Sequence, residues 1–375
     1  MTALPADILS REVVVCVGAG GVGKTTVAAS VALHAAMEGK RAIVLTIDPA
    51  KRLASALGLT ELGNQATRVA LPEGAKGELW AMMLDLKRSW DDFIARTVAP
   101  EKRDAILGNR FYKTLSSSLA GSQEYIATEK LYELHASGGY DLIVLDTPPT
   151  QNALDFLDAP KRILDFLGNE SLRALLGPAL VAGRFGLRLF QVGGNAILKA
   201  LSRLTGIETL EELARFLTEI QPTYDHFKER AAKVRALLAS ERTSFLLVTS
   251  ARGGPVEEAI YFHRLLLEAK MPLAAVVANR VHPDFLDGLE APTREELADE
   301  LLREGLPDEG HPPLSARLHQ TLEEARALAS FDAQNLDRLA ASTYPTPQVR
   351  VPRFSGDVYD LPALRNVADH LFVRS

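Results

Sequence analysis

Short, uninterrupted apolar runs alternate with longer stretches of helical spacing near both ends of the chain. Residues 13–17 (Val-Val-Val-Cys-Val) form a β-branched run that predicts a buried strand. Residues 41–47, 79–85 and 142–145 predict three more strands, and residues 245–249 and 273–278 predict two others. Residues 25–38 are rich in alanine and predict a helix that Gly39 can close, because a glycine tolerates the left-handed conformation at a helix end. Residues 256–270 predict another helix. Strands alternating with helices specify an α/β fold with a mostly parallel, doubly wound sheet and crossover helices. Functional groups in such a fold gather beyond the carboxyl ends of the strands. Residues 18–26, Asp48, Asp146, Ser250 and Asn279 all fall at those ends.

Two regions break the alternation. Residues 90–134 and 159–240 show helical spacing with few strand signals, so each predicts a helical insertion on the sheet. The expected organisation is therefore a core in parts. Residues 1–89 form its first part, 90–134 an insertion, 135–158 a core strand with its following loop, 159–240 a second insertion, and 241–375 the rest of the core. Residues 348–354 predict a last edge strand or loop, and residues 361–372 a closing helix.

Composition narrows the function classes. An apolar share of 47% and a charged share of 24% in 375 residues belong to an ordinary globular protein, not a disordered one. A net charge of −6 argues against a general nucleic-acid-binding surface. Neither a secretory signal nor a membrane-spanning run is expected, which predicts a cytoplasmic location. The single cysteine, Cys16, lies inside the first strand. One thiol cannot form an intrachain disulfide or a zinc site of several thiolates, so no zinc is expected.

The segment Gly18-Ala19-Gly20-Gly21-Val22-Gly23-Lys24-Thr25-Thr26 sits between the first strand and the first helix. In that context it predicts a P-loop. Its glycines let successive backbone N–H groups turn onto phosphate oxygens, and the helix N-terminus adds partial positive charge. Lys24 is placed to span the β- and γ-phosphates, Thr25 to offer its hydroxyl to Mg²⁺, and Thr26 to donate to the α-phosphate. Gly20, Gly21, Val22 and Gly23 supply the surrounding backbone. Asp146-Thr147-Pro148-Pro149-Thr150 follows its strand directly. An aspartate there orients Mg²⁺ through water while the next residues sense the γ-phosphate. Asp48-Pro49-Ala50 ends another strand and can face the same metal water or the phosphates. The expected catalytic residues are Lys24, Asp48 and Asp146, and the metal side is Thr25, Asp48 and Asp146.

These segments, with the strand that ends in Asn279-Arg280, resemble the arsenite-pump and tail-anchored-protein-targeting ATPase family of the deviant Walker A class. The resemblance implies a dimeric P-loop NTPase that uses ATP and Mg²⁺. It also implies that Asn279 recognises adenine and that Pro352, Arg353 and Phe354 pack over the base. Two positions depart from the family. The extra lysine that reaches across the dimer is replaced by Ala19, and the aspartate that positions water in the targeting members is matched by Ser55. Both departures predict intact ATP binding with slow or partner-dependent hydrolysis. The partner would be an identical chain or a paralogue carrying the missing lysine. The absent thiols count against an arsenite pump and resemble a bacterial branch of the family.

Residues 171–207 contain no acidic residue, yet Arg173, Arg184, Arg188, Lys199 and Arg203 stand among leucines, alanines and glycines. By resemblance this is a surface for a hydrophobic client or a membrane. It reads equally as a buried lid whose arginines pair with Glu208, Glu211 and Glu212. No methionine lies between Tyr140 and Lys270, which weakens a broad chaperone role. Residues 283–309 are strongly acidic and predict a solvated helical face. The leading expectation is an ATP-driven switch that holds and releases a client. The alternatives are a nucleotide-gated scaffold and a small-molecule kinase.

Overall fold

The computed structural model describes residues 3–47, 52–118, 122–148, 207–286, 288–310 and 312–372, with positions 159, 161–165 and 168. Asp48, Pro49, Ala50, Pro149, Thr150 and residues 171–206 lie outside the described residues.

The described strands build one eight-stranded sheet in the order β3-β4-β2-β5-β1-β6-β7-β8. They are β1 (Val13–Val17), β2 (Arg41–Thr46), β3 (Thr67–Val69), β4 (Glu78–Met83), β5 (Leu142–Asp146), β6 (Thr243–Ser250), β7 (Leu273–Val281) and β8 (Gln348–Pro352). All neighbours pair in parallel except β3 with β4. The expected doubly wound sheet is therefore present. β1 lies between β5 and β6, at the point where the strand order reverses. A crevice opens at such a point because the flanking connections depart to opposite faces.

The central strands are apolar on both sides because both sides are covered. Val14 and Cys16 face a core shared with Val44, Val144, Leu246 and Val277. α1 (Lys24–Met37) and α12 (Leu361–Phe372) close that face. The small residues of α1, among them Ala28, Ala29, Ala32, Ala35 and Ala36, are fully buried. They let the helix sit close under the sheet while α12 packs on its outer side. The ring of His34 stacks on Phe372 at 3.9 Å across the two helices, and burial lowers the His34 pKa.

The opposite face carries Val13, Val15, Ile43, Leu45, Ile143 and Leu145. Against it lie α6 (Ser122–Ser137), α8 (Tyr224–Leu238), α9 (Gly253–Glu268) and α11 (Leu314–Thr343). α6 and α8 also belong to a separate aromatic core with α3 (Leu86–Thr97), α4 (Pro100–Gly108), α5 (Arg110–Ser118) and α7 (Ile207–Ile220). Trp90, Phe93, Tyr125, Phe216 and Phe227 fill it. Arg230 of α8 donates from Nε and Nη2 to one oxygen of Glu129 in α6, at 2.9 and 2.8 Å. Tyr125 donates to the other oxygen at 3.2 Å. Glu129 is only 1% exposed. Burial raises its pKa above the ordinary 4.5, opposed chiefly by Arg230.

Some elements differ from the sequence expectation. The helices that follow β4 begin at Leu86, where the Asp85 carboxylate accepts the Arg88 backbone N–H as an N-cap. β3 was not expected, since three residues are too few to display a period. The long helix α11 was not expected either. Its buried positions Ala329, Asp332, Leu336, Leu339 and Thr343 recur at a helical spacing of three or four residues, with polar side chains interrupting the apolar stripe. The acidic stretch does contain a mostly exposed helix, α10 (Arg294–Arg303), opened by a capping box between Thr293 and Glu296. The remaining short helix, α2 (Arg52–Ala56), leaves Ser55 exposed between buried Ala54 and Ala56.

Candidate functional site

β1 ends at Val17, and the chain must then turn sharply to enter α1. Gly18 takes a φ of +144°, and a Cβ there would stand 2.0 Å from the Val248 carbonyl oxygen of β6. Only glycine fits that approach. Gly23 takes a φ of +98°, and its missing Cβ leaves room for the Asn279 amide, which would otherwise be 2.1 Å away. Gly21 is also at positive φ, whereas Gly20 is not among the positive-φ glycines, so the expected dihedral freedom is used at three of the four loop positions.

Lys24 begins α1 and folds back along its own loop. Its Nζ donates to the carbonyl oxygens of Gly18 and Ala19, both at 2.9 Å, and the residue is 6% exposed. The ammonium is thus stationed inside the cradle, held by weak acceptors that a phosphate can outcompete by its charge. Thr25 donates from Oγ1 to Asp146 Oδ2 at 2.7 Å. Asp146 closes β5, is fully buried, and accepts a second hydroxyl, that of Thr46 in β2, at 2.8 Å. Thr147 donates to the Cys16 carbonyl at 2.8 Å and ties the start of the following loop to β1. The neighbouring Cys16 thiol is pushed far up by burial and by the Asp146 charge, so it is an inert core group.

The three strands β1, β2 and β5 therefore bring Lys24, Thr25, Thr46 and Asp146 together. Thr46 was missed in the sequence, because a threonine ending a strand has no distinctive spacing. Hydroxyl and carboxylate oxygens suit a hard cation such as Mg²⁺, and the pairing of Thr25 with Asp146 fits that group. Among the described residues, no group of three or more His, Cys, Asp or Glu side chains gathers. Thr26, in the first turn of α1, is half-buried. The expected contribution of Asp48 falls outside the described residues.

Asn279 lies at the same edge, near the end of β7. Its Nδ2 donates to the Val22 carbonyl at 2.9 Å, so the strand β7 touches the P-loop directly. The residue is 5% exposed. Pro352 pairs with Val281, and the Arg353 N–H donates to the Val281 carbonyl at 2.7 Å. Phe354 packs on the core that α1 and α12 cover, with its ring edge-on to His370 at 5.4 Å. Pro352 and Phe354 thus sit on the β7–β8 side of the edge. No helix of the described residues is long and apolar enough to cross a membrane.

A family model for anion-transporting ATPases matches residues 11–295. The match includes the P-loop, Asp146 and Asn279 and stops before Pro352 and Phe354. The ATPase get3 of Aspergillus terreus is 31% identical over 209 residues, which is 55% of this chain and 56% of that protein. The ATPase GET3 of Malassezia globosa is 31% identical over 221 residues, 58% of this chain and 63% of that protein. An uncharacterized protein of Streptomyces coelicolor is 29% identical over 277 residues, 71% of this chain and 62% of that protein. The chain spans more than half, but less than two thirds, of the length of these relatives.

Proposed function

This chain belongs to the anion-transporting ATPase family, and from that premise we propose that it binds ATP with Mg²⁺ at the P-loop edge and hydrolyses it slowly, as a dimeric switch. The observation that carries this is the convergence of buried Lys24 with the Thr25–Asp146 pair. In this reading Lys24 exchanges the Gly18 and Ala19 carbonyls for β- and γ-phosphate oxygens. The backbone N–H groups of residues 20–25 surround the phosphates, and Asp146 fixes the Thr25 hydroxyl. Bound Mg²⁺ would be held by Thr25, with Asp146 and Asp48 acting through water, and would neutralise phosphate charge. Asn279 contacts the base, with Pro352 and Phe354 packing over it. The nucleotide state would govern capture of a hydrophobic protein or membrane-associated client, for which residues 171–207 are the candidate surface.

Ala19 and Ser55 favour a second reading, a nucleotide-gated scaffold or heterodimer subunit with little hydrolysis of its own. Neither side chain supplies a charge to the transition state. Turnover of Mg-ATP by the chain alone and with a paralogue that carries the lysine separates them. Slow phosphate release by the chain alone, with no phosphorylated acceptor, is the expected result. Acceleration by the paralogue supports the heterodimer. A phosphorylated metabolite, or no ATP binding at all, would overturn the proposal.

A further inference from the structure

Beyond the P-loop, a second polar cluster joins three segments far apart in sequence: the end of β7, the middle of α11 and the residues after β8. β7 is irregular where the cluster begins. Its register against β8 shifts between Ala278 and Val281, and Arg280 takes a φ of +60°, uncommon for a residue with a side chain. The Asn279 side-chain oxygen accepts the Arg280 N–H at 3.0 Å and holds that turn. The next residue but one is His282, and its backbone N–H and Nδ1 both lie 2.8 Å from Oδ2 of Asp332. Asp332 is on α11 and 3% exposed.

The far side of the same ring faces Arg353, whose Nη1 is 3.1 Å from His282 Nε2. A guanidinium only donates, so Nε2 accepts and carries no proton. The imidazole proton therefore sits on Nδ1 and is given to Asp332. One buried carboxylate thereby fixes the tautomer and plane of one ring, and that ring fixes one arginine. Arg353 is anchored a second time through its backbone bond to Val281. Its neighbour Phe354 is held from the opposite side by the core and by His370.

A buried carboxylate is a costly way to close a surface loop, since a well-packed apolar residue of similar volume would stabilise as well. What the chain Asp332–His282–Arg353 adds is orientation, delivered to the segment flanked by Pro352 and Phe354. We infer that Asp332 and His282 are positioning residues that, through Arg353, preorganise this segment for the nucleotide base. They act on base affinity and not on the phosphates, which are met by the P-loop. The inference rests on the proposed nucleotide site.

Calorimetric titration of the full chain with Mg-ATP and with Mg-tripolyphosphate, which has no base, tests it. Asp332→Ala and His282→Leu should each weaken ATP binding about tenfold, because the segment must then be ordered at the moment of binding. Tripolyphosphate binding should stay within about twofold of the unmodified chain. Asp332→Asn retains an acceptor oxygen and should restore most of the ATP affinity. Should Asp332→Ala fail to fold, Arg353→Ala removes the exposed end of the same chain and should give the same loss confined to ATP. Equal losses for both ligands, unchanged ATP affinity, or no rescue by Asp332→Asn would overturn the inference alone. Failure of the unmodified chain to bind ATP would overturn the proposed function and this inference together.

Discussion

The two halves of the candidate nucleotide edge are built differently. At the phosphate half, Lys24 and Thr25 come from one continuous segment, and Asp146 meets them because β5 pairs with β1 in parallel. At the base half, Asn279, His282, Asp332 and Arg353 come from three segments, with His282 hydrogen-bonded to Asp332 on one side and to Arg353 on the other. The first is a local backbone conformation with a charge stationed inside it. The second is a tertiary assembly, whose geometry is only as good as the packing of α11 and β8 against β7. The Asn279 amide on the Val22 carbonyl links them directly.

The largest expected effect tests the phosphate half. Lys24→Ala should weaken Mg-ATP and Mg-tripolyphosphate alike by about 100-fold, the loss of a charged donor from a sheltered site. A loss confined to ATP would break the comparison. Next, Arg230→Ala leaves Glu129 buried without its cation and should lower stability towards urea by about 3 kcal/mol. Because that pair lies in the helical layer, the ratio of ATP to tripolyphosphate affinity should not move. A changed ratio would mean that the helical layer shapes the nucleotide edge.

Asn279→Ala should cost about tenfold in ATP affinity through the base. It should also produce a smaller, measurable loss for tripolyphosphate, because the Val22 carbonyl loses its donor. No effect on tripolyphosphate would make the two halves independent. The smallest effect is in pH. Glu129 keeps its proton in the native state to higher pH than in the unfolded chain. Between those two pKa values unfolding releases a proton, so stability should fall as pH rises above about 4.5 and then level off. Urea titrations of Glu129→Gln across the same range should lack that slope, and nucleotide affinities should not follow it.

Legibility in the sequence follows the same division. The central strands announce themselves because burial on both faces demands continuous apolar runs, as in 142–145. The P-loop is legible because phosphate binding by backbone requires glycine at fixed spacing, and Gly18 and Gly23 stand where a Cβ would collide. Thr46 was not legible, since a hydroxyl at the end of β2 acquires meaning only when β2 pairs with β5. Asp332 was hidden for the same reason. In sequence it is one more acidic residue of a mixed helix, and its burial appears only when α11 lies across the end of β7.

The sequence by itself determined the alternation of strand and helix, the glycine-rich P-loop between β1 and α1, and which residues stand at positions 19 and 55. These depend on local dihedral freedom, on periodicity and on residue identity. Tertiary structure alone decided which hydroxyls meet Asp146, that Asn279 touches the P-loop, and that Asp332 orients His282 and Arg353. Such contacts depend on strand order and helix placement, which bring together residues separated by as many as 257 positions, and no local pattern records them.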